Sequence, residues 1–338
     1  MSRSKNKVLI TGVAGFIGFS LALSFLKEKY YVIGIDNINN YYSKKIKKDR
    51  LKILKNFKNF KFIKLDIRNK KKLFDNLKYQ KIHSVYHLAA QAGVRHSLKN
   101  PEDYTSNNLV GFFNIIDLSR NIKVKHFIFA STSSVYGLNK KLPFTEIDPV
   151  NHPSQFYAAT KRANELMAHS YSCVYKMNCT GIRFFTVYGP WGRPDMALFK
   201  FVDNILKDKP IEVFNFGNHI RDFTYIEDAV NCLKKIRLKY PKKNKYFKEL
   251  NPSSSSSSFQ ILNIGNQKKV KLMEYIKEIE KNLNLKSKKK FLSLQKGDIP
   301  ISYSKMINTK KIIKYNFKYD YKLGVKLFIN WFKNYYKI

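Results

Sequence analysis

Tyr157 and Lys161 are the side chains of this sequence whose types and spacing best suit acid–base chemistry. On a helix, residues four apart lie one turn apart on the same face. A free phenol has a pKa of about 10 and is therefore a poor base at neutral pH. A nearby ammonium group favours the phenolate, which can then accept a proton from a substrate hydroxyl. Because the chain contains 22 tyrosines and many lysines, an ordinary helix face is the competing interpretation.

A glycine-rich turn near the N-terminus predicts a nucleotide-binding loop. The apolar run Lys7–Ile10 predicts a buried strand, and Phe19–Leu26 predicts a helix after Gly12, Gly15 and Gly18. In that setting the first glycine permits a tight turn, the second admits a pyrophosphate and the third lets helix and strand pack closely. The helix N-terminus then offers N–H groups to the phosphates. The spacing is G-x-x-G-x-x-G rather than the commoner G-x-G-x-x-G.

Alternating strand and helix patterns predict the fold of the first half. A second predicted strand ends at Asp36, whose carboxylate can bind the hydroxyls of an adenosine ribose. The same charge would repel a 2′-phosphate, so NAD is favoured over NADP. Further predicted strands end at Asp66, Ala89 and Ser131. This alternation predicts an α/β, Rossmann-type, doubly wound parallel sheet with ligands beyond the carboxyl ends of its strands.

A hydroxyl-rich stretch, Ser131–Ser134, follows the last of these strands. A hydroxyl at this position could share the proton of a substrate hydroxyl with Tyr157. The competing interpretation is a polar turn, which serine and threonine also favour.

Several motifs together resemble the extended short-chain dehydrogenase/reductase family. They are the glycine run from Thr11, Asp36, His87–Ala90, Thr132, and Tyr157 with Lys161. Longer stretches look like the UDP-glucuronate 4-epimerases within that family, namely Asp36–Tyr42, Ala89–Arg95, Arg183–Ala197, Asn215–Gly217, Arg221–Ile226 and Asn263–Gly265. The resemblance runs from about residue 7 to the C-terminal helix, and the stretch Arg183–Ala197 is its most specific part.

The resemblance implies NAD as a tightly held cofactor and a UDP-sugar as substrate. The implied cofactor contacts are Gly12, Gly15, Phe16, Ile17, Gly18, Asp36, Asn37, Asp66, Ile67, Leu88, Ala89, Ala90, Asn108, Ser131, Tyr157, Lys161 and Phe184. The implied substrate contacts are Arg95, Thr132, Ser133, Ser134, Tyr157, Thr186, Arg193, Val213, Asn215 and Arg221. The implied catalytic residues are Tyr157, Lys161 and Thr132.

The resemblance also implies a mechanism. Tyr157 removes the proton of the sugar 4-hydroxyl, Thr132 hydrogen-bonds the same oxygen, and Lys161 tunes Tyr157 and holds the nicotinamide ribose. The resulting 4-keto sugar turns over and is reduced on its other face, which converts UDP-glucuronate to UDP-galacturonate for a surface polysaccharide.

A 4-keto glucuronate tends to lose carbon dioxide, so its carboxylate must be held. By resemblance Ser133, Ser134, Thr186 and Arg193 would hold it. Related dehydratases carry an Asp-Glu pair at the positions of Ser133 and Ser134, and related decarboxylases a Glu at the second. Neither acid is present, which favours epimerisation.

Two departures from the epimerase pattern bear on substrate selectivity. His96 stands where the epimerases usually have tyrosine, and Ser304-Lys305 replaces the usual Ala-Asp.

Composition bounds the remaining possibilities. A net charge of +40 suggests nucleic-acid binding, but the lysines are scattered along the 338 residues, which favours compositional bias without a specific nucleic-acid partner. No apolar run is long enough to span or insert into a membrane, and the N-terminus lacks a signal peptide. The three cysteines and the histidines show no metal-ligand spacing, so we expect no metal and a cytoplasmic location.

We expect residues 1–190 to form the NAD-binding domain with the Tyr157 helix. Residues 191–338 would mainly bind the sugar nucleotide in a smaller α/β domain, with some chain returning to the first. Residues 240–259, with the serines Ser253–Ser258, are expected to be a flexible, solvated loop. A homodimer is implied by the family.

Two other functions remain open at this point. One is a 4-epimerase of a neutral UDP-hexose or UDP-N-acetylhexosamine. The other, of a different class, is an inactive NAD-binding or nucleic-acid-binding protein.

Overall fold

The computed structural model describes residues 6–338. Residues 1–5, part of the N-terminal stretch in which no signal peptide is predicted, lie outside the described residues. In chain order the strands are β1 (Lys7–Thr11), β2 (Tyr31–Asp36), β3 (Phe60–Lys64), β4 (Ser84–His87), β5 (His126–Thr132), β6 (Cys179–Phe184), β7 (Thr186–Tyr188), β8 (Ile211–Phe214), β9 (Ile220–Arg221), β10 (Phe223–Tyr225), β11 (Phe259–Ile264), β12 (Val270–Lys271), β13 (Lys289–Leu292) and β14 (Ile301–Ser302).

The helices surround these strands. In chain order they are α1 (Phe16–Lys27), α2 (Lys44–Lys55), α3 (Lys70–Leu77), α4 (Val94–Lys99), α5 (Pro101–Tyr104), α6 (Gly111–Asn121), α7 (Phe156–Tyr175), α8 (Ala197–Leu206), α9 (Ile226–Ile236), α10 (Leu272–Leu283), α11 (Asn308–Ile313) and α12 (Tyr321–Tyr336). A π-helical turn, Thr105–Val110, joins α5 to α6, and a 3-10 turn, Ser133–Tyr136, follows β5.

Seven strands form one parallel sheet in the order β11-β6-β5-β4-β1-β2-β3. The strand β1 lies at the centre, where Thr11 pairs with Ile35 of β2 on one side and with His87 of β4 on the other. Six of the strands have the order of a dinucleotide-binding sheet, and β11 extends it at one edge. The predicted Rossmann-type sheet is confirmed.

Neighbouring residues of each strand pack into cores on opposite faces of the sheet, because side chains alternate along a strand. In β1, Val8 and Ile10 pack into one core together with Phe19 of α1. Leu9, between them, packs into the other core with Ile115 of α6. Both faces of the sheet are thus covered by helices, as a parallel sheet requires.

Small sheets build much of the second half. The strand β8 pairs with β13, β9 with β12 and β14, and β7 with β10. Helices α8, α9, α10 and α12 pack into the same core as β1 and α1, so one apolar interior continues from the large sheet into this region.

The serine run departs from the expectation that it would be solvated. Ser253, Ser255 and Ser257 are buried, because the run lies against the edge of the sheet just before β11. The amide N–H of Ile261 donates to the Ser253 carbonyl, and Ser255 Oγ lies 2.9 Å from His169 Nε2 on α7. The prediction of solvation is wrong for these serines, while the flexibility of residues 240–259 stays a prediction.

Within residues 6–338, no helix has both the length and the apolar character needed to cross a bilayer.

Candidate functional site

A cavity of about 450 Å³ opens at the carboxyl ends of the sheet strands. Loops after β1, β2, β4 and β5, the start of α7 and the chain after β6 form its walls. The predicted site residues that line it are Gly12, Gly15, Phe16, Ile17, Gly18, Asp36, Asn37, Ile67, Leu88, Ala89, Ala90, Ser131, Thr132, Ser133, Ser134, Tyr157, Lys161, Phe184, Thr186, Arg193 and Arg221.

The glycine loop leaves room for a phosphate at one end of this cavity. Gly12 has a positive φ of 71°, and a Cβ there would lie 2.8 Å from the backbone nitrogen of Ala89. A Cβ on Gly18 would overlap the carbonyl oxygen of Gly12. Helix α1 begins at Phe16, so its free N–H groups point into the space that the missing side chains leave. The loop therefore fits a dinucleotide pyrophosphate.

Asp36 lies beside the glycine loop at the end of β2. Its Oδ2 accepts from the Ala14 N–H at 3.0 Å and its Oδ1 from the Ile38 N–H at 2.8 Å, which fixes the carboxylate at the cavity wall. Burial raises the pKa of Asp36 above its ordinary value, and the Ile38 N–H and the Lys47 ammonium oppose that shift. Burial also lowers the pKa of Lys47 to about 8. This end of the cavity suits an adenosine ribose.

Tyr157, Lys161 and Glu165 follow one another at four-residue intervals along the buried face of α7. Lys161 is 1% exposed, and burial lowers its pKa to about 8 although the Glu165 carboxylate opposes this. We expected the ammonium to lower the pKa of Tyr157. The net shift is upward, because burial raises the pKa of Tyr157, against the Arg193 charge and a hydrogen bond with Thr132. The cavity wall thus carries the neutral phenol of Tyr157 and, one helical turn away, Lys161, whose pKa of about 8 is close to neutral pH.

Glu165 anchors this face from inside the protein. It accepts hydrogen bonds from Arg183 Nε and Nη2, both at 2.9 Å, from Arg162 Nη1 at 3.0 Å and from Ser131 Oγ at 2.6 Å. Although burial opposes it, the Arg183 guanidinium keeps the pKa of Glu165 below its ordinary value. Ser131 is therefore fixed to α7 by a charged acceptor, which ties the end of β5 to the Lys161 turn.

The hydroxyl-rich stretch after β5 lies on the same cavity wall as Tyr157. The hydroxyl of Thr132 donates to Ser134 Oγ and also accepts from the Ser134 N–H, both at 3.2 Å. This arrangement caps the 3-10 turn that carries Ser133 and Ser134. Hydroxyls, and no carboxylates, face the cavity from this turn.

Arg193 faces Tyr157 from the chain after β7. Its guanidinium forms two parallel hydrogen bonds with Asp195, Nε to Oδ1 at 3.0 Å and Nη2 to Oδ2 at 2.5 Å. The phenol of Tyr41 donates to the same Oδ2 at 3.3 Å. Burial raises the pKa of Tyr41 to about 12, so the phenol stays protonated as that donor.

A second arginine–aspartate pair lines the cavity farther from the sheet. Arg221 Nη2 donates to Asp298 Oδ1 at 3.0 Å, and Arg221 Nη1 donates to the Pro300 carbonyl at 2.9 Å. The His219 ring nitrogen Nε2 lies 3.3 Å from the other Asp298 oxygen. A cation held in this way suits a phosphate of the substrate.

The model of the NAD dependent epimerase/dehydratase family matches residues 8–247, more than half of the chain. The chain belongs to that family. Membership confirms the predicted family and NAD as its cofactor.

Individual proteins also resemble this chain over most of its length. Protein CapI of Staphylococcus aureus is 47% identical over 300 residues, which cover 88% of this chain and 90% of that protein. A probable UDP-glucuronate 4-epimerase of Rhizobium meliloti is 41% identical over 301 residues, 88% of either chain. A UDP-glucuronic acid 4-epimerase from Bacillus cereus, solved with UDP-glucuronic acid and NAD, is 30% identical with a TM-score of 0.85. That structural match covers 98% of this chain and 100% of the other.

In this member of the epimerase/dehydratase family, two predicted cofactor contacts do not line the cavity. Asn108 is buried, and its amide Nδ2 donates to the Gln91 carbonyl and to Thr160 Oγ1, both at 3.1 Å. Asp66 accepts hydrogen bonds from Arg68 Nε and Nη2. Protein partners engage both side chains, and Asn108 joins the loop after β4 to α7. Their contact with the cofactor stays a prediction.

Three predicted substrate contacts lie together outside the cavity. The Arg95 guanidinium lies over the Phe214 ring, 4.4 Å from its centroid, at the end of β8. Val213 is fully buried, and Asn215 Nδ2 donates to the Asn218 carbonyl at 2.7 Å. Their contact with substrate stays a prediction.

The departure at His96 also lies outside the cavity, next to it. Its ring packs on Tyr41 with centroids 5.0 Å apart, and its Nε2 lies 3.3 Å from Asp103. His96 therefore acts on the cavity through Tyr41.

Sequence reasoning missed several lining residues, among them Asn39, Tyr41, Tyr42, Lys47, Gln91, Gln155, Met196 and Ser302. Tyr41 and Tyr42 belong to the matched stretch after Asp36, and that membership was a signal for them. No sequence pattern pointed to Gln155, because its role depends on a partner far away in the chain. Its amide donates to the Gly297 carbonyl and so joins the start of α7 to the loop that carries Asp298.

Within residues 6–338, no group of three or more His, Cys, Asp or Glu side chains could hold a metal ion.

Proposed function

We propose that this protein is an NAD-dependent 4-epimerase that interconverts UDP-glucuronate and UDP-galacturonate. The observation that carries the proposal is the wall around Tyr157. A partly buried guanidinium, Arg193, faces the phenol, while hydroxyls and no carboxylates come from the turn after β5. A site with this composition suits a sugar that carries its own carboxylate. The named 4-epimerases among the relatives add support.

Tyr157 is the proton acceptor in the proposed reaction. Bound NAD supplies a hydride acceptor, and later a hydride donor, at carbon 4 of the sugar. Tyr157, as the phenolate, would take the proton of the 4-hydroxyl and return it when the 4-keto sugar, turned over, is reduced on its other face. Thr132, which hydrogen-bonds Tyr157, orients the same oxygen. The Lys161 ammonium, one helical turn away, would stabilise that phenolate.

Substrate binding would be divided between the two arginines of the cavity. Arg221, held by Asp298, lies where it can bind a phosphate of the UDP group. Arg193 would bind the sugar carboxylate together with the hydroxyls of Ser133, Ser134 and Thr186. These hydroxyls can hydrogen-bond the carboxylate, but they do not provide the carboxyl group that would act as acid or base in an elimination reaction.

The assembly we propose is a homodimer formed by α6 and α7. These neighbouring helices expose apolar side chains, including Phe113 (38% exposed), Leu166 (55%) and Val174 (63%). A second copy that packs its own α6 and α7 there would remove this apolar surface from water. Light scattering after size-exclusion chromatography should give twice the monomer mass of 39.8 kDa, and Leu166→Lys should lower the measured mass to that of a single chain. A monomeric wild type would contradict the dimer.

We further propose a cytoplasmic location and a role in supplying UDP-galacturonate for a surface polysaccharide. The three cysteines, Cys173, Cys179 and Cys232, are free thiols, which suits a reducing compartment.

The test uses UDP-glucuronate that carries deuterium at carbon 4, incubated with purified protein and NAD. We expect UDP-galacturonate that retains the deuterium, because the hydride leaves and returns within one site. UDP-pentose with released carbon dioxide would instead indicate a decarboxylase. Equal turnover of UDP-glucose would indicate the neutral-sugar epimerase, and no turnover of any UDP-sugar would contradict the proposal.

A further inference from the structure

One edge of the Arg193 guanidinium is hydrogen-bonded to Asp195. A guanidinium presents five N–H groups in one plane. Among the described residues its hydrogen bonds both go to Asp195, from Nε and from Nη2. The opposite edge, formed by Nη1 and the second N–H of Nη2, remains available to another pair of oxygens.

The environment of Asp195 keeps the pair in one orientation. Asp195 directly precedes Met196, the residue that caps the start of α8, where the helix dipole favours a negative charge. Tyr41 donates to its Oδ2 from the opposite wall of the cavity. Gly93, with a positive φ of 105°, makes room for that phenol, because a Cβ at this position would overlap the Tyr41 hydroxyl. Contacts from two separate loops thus fix the carboxylate.

We infer that Asp195 is a positioning residue that directs the free edge of Arg193 at the substrate carboxylate. One guanidinium can bind two carboxylates, one on each edge, each through two parallel hydrogen bonds. Asp195 occupies the first edge, so rotation of the guanidinium would break two charge-assisted hydrogen bonds. The inference rests on the proposed function, since it assigns the carboxylate of a UDP-glucuronate to the second edge.

A fixed carboxylate matters because of what the 4-keto intermediate can do. When the C5–C6 bond lines up with the ketone, it breaks and its electron pair passes into the C4 carbonyl, which gives an enolate. Carbon dioxide leaves, and a proton from water at C5 completes a UDP-4-keto-pentose. No further oxidant or reductant takes part in this step. A guanidinium that is free to rotate would let the carboxylate reach that alignment, so carbon dioxide release reports directly on the positioning of Arg193.

The test is Asp195→Asn, which keeps the size of the side chain and removes one acceptor oxygen and the charge. The matched control is Asp203→Asn on α8, whose carboxylate pairs with Lys207 away from the cavity. With UDP-glucuronate labelled at carbon 6, we expect the fraction of turnovers that release carbon dioxide to rise about tenfold in Asp195→Asn, as for a lost charge-assisted hydrogen bond. Asp203→Asn should match wild type.

Binding provides a second readout that needs no turnover. By calorimetry, Asp195→Asn should bind UDP-glucuronate about tenfold more weakly and UDP-glucose with unchanged affinity. Unchanged carbon dioxide release with unchanged or tighter UDP-glucuronate binding would overturn the inference, since Asp195 would then be a spectator or a competitor. If Asp195→Asn does not fold, Tyr41→Phe should show the same two changes more weakly, and the absence of both would overturn the inference.

The two proposals fail in different ways. If wild type does not convert UDP-glucuronate to UDP-galacturonate, the proposed function is wrong and this inference is wrong with it. If wild type epimerises and only the Asp195→Asn comparison fails, the inference alone is wrong.

Discussion

Glu165 and Arg183 form a bidentate ion pair in which neither side chain is exposed, one helical turn from Lys161. A buried pair of this kind is costly to break because the remaining charge has no water to solvate it. We expect Glu165→Gln to lower the free energy of unfolding by about 3–5 kcal/mol. Urea denaturation followed by circular dichroism measures the change.

The double variant Glu165→Gln/Arg183→Met is the control for this prediction. Removal of both charges should recover part of the lost stability, because no fully buried ion is left unpaired, and the remaining partner of Glu165, Arg162, is 20% exposed. A single variant within about 1 kcal/mol of wild type would mean that the pair is far more hydrated than its burial indicates.

The buried ammonium of Lys161 makes stability depend on pH. Its pKa is about 8 in the folded protein, whereas a lysine in an unfolded chain has a pKa of about 10.4. Between these values the unfolded chain holds the proton and the folded protein does not, so stability rises with pH across this window. Below pH 8 the penalty for burying the charge is complete and amounts to about 3 kcal/mol.

Lys161→Met should therefore be more stable than wild type at pH 7, by up to about 3 kcal/mol. The difference should shrink as the pH rises from 8 to 10. Thermal unfolding of both proteins at pH 7, 8, 9 and 10 measures it. A difference that stays constant with pH would show that Lys161 is not titrating in this range.

Tyr157→Phe removes the proton acceptor and leaves the ring. The ring packs edge-on against Tyr104 with centroids 5.9 Å apart, and Phe preserves that contact. We expect kcat for epimerisation to fall by about 10²–10⁴, the usual contribution of general acid–base catalysis. Tyr171→Phe, on the same helix but away from the cavity, should keep wild-type kcat. Undiminished turnover in Tyr157→Phe would remove the phenol from the mechanism.

Gly18→Ala should weaken NAD binding by about tenfold or more, because overpacking of this kind costs about 1–3 kcal/mol. The added Cβ would overlap the Gly12 carbonyl oxygen, so the backbone that surrounds the pyrophosphate must move. Ser20→Ala on the same helix is the matched control, since its hydroxyl only returns to the Phe16 carbonyl. Fluorescence titration with NADH measures both, and equal affinities would contradict the role of this glycine.

The sequence alone predicted features that local patterns encode. The glycine loop, Asp36 and the α7 pair of Tyr157 and Lys161 each depend on spacing within one or two elements, and the structure places them along one cavity. The strand β6 has no recognisable local pattern, because it contains a charged residue, Arg183. That charge can be buried in the strand because Glu165, on α7, pairs with it.

Long-range contacts account for the remaining differences. The Tyr41–Asp195 hydrogen bond joins residues 154 positions apart, and no local pattern predicts it. The upward net shift of the Tyr157 pKa was not predicted for a similar reason. Spacing puts the two on one face, but the degree to which the whole fold buries the phenol decides its pKa.

The strand β11 completes the large sheet only after residue 264 has been synthesised, although its partner β6 ends at Phe184. During translation, β6 therefore remains an open edge while a further 80 residues, from 185 to 264, are synthesised at roughly 5–20 residues per second. An unpaired edge strand is a template for intermolecular pairing. A truncation after residue 190 would keep that edge open permanently, so we expect the isolated nucleotide-binding half to aggregate on expression.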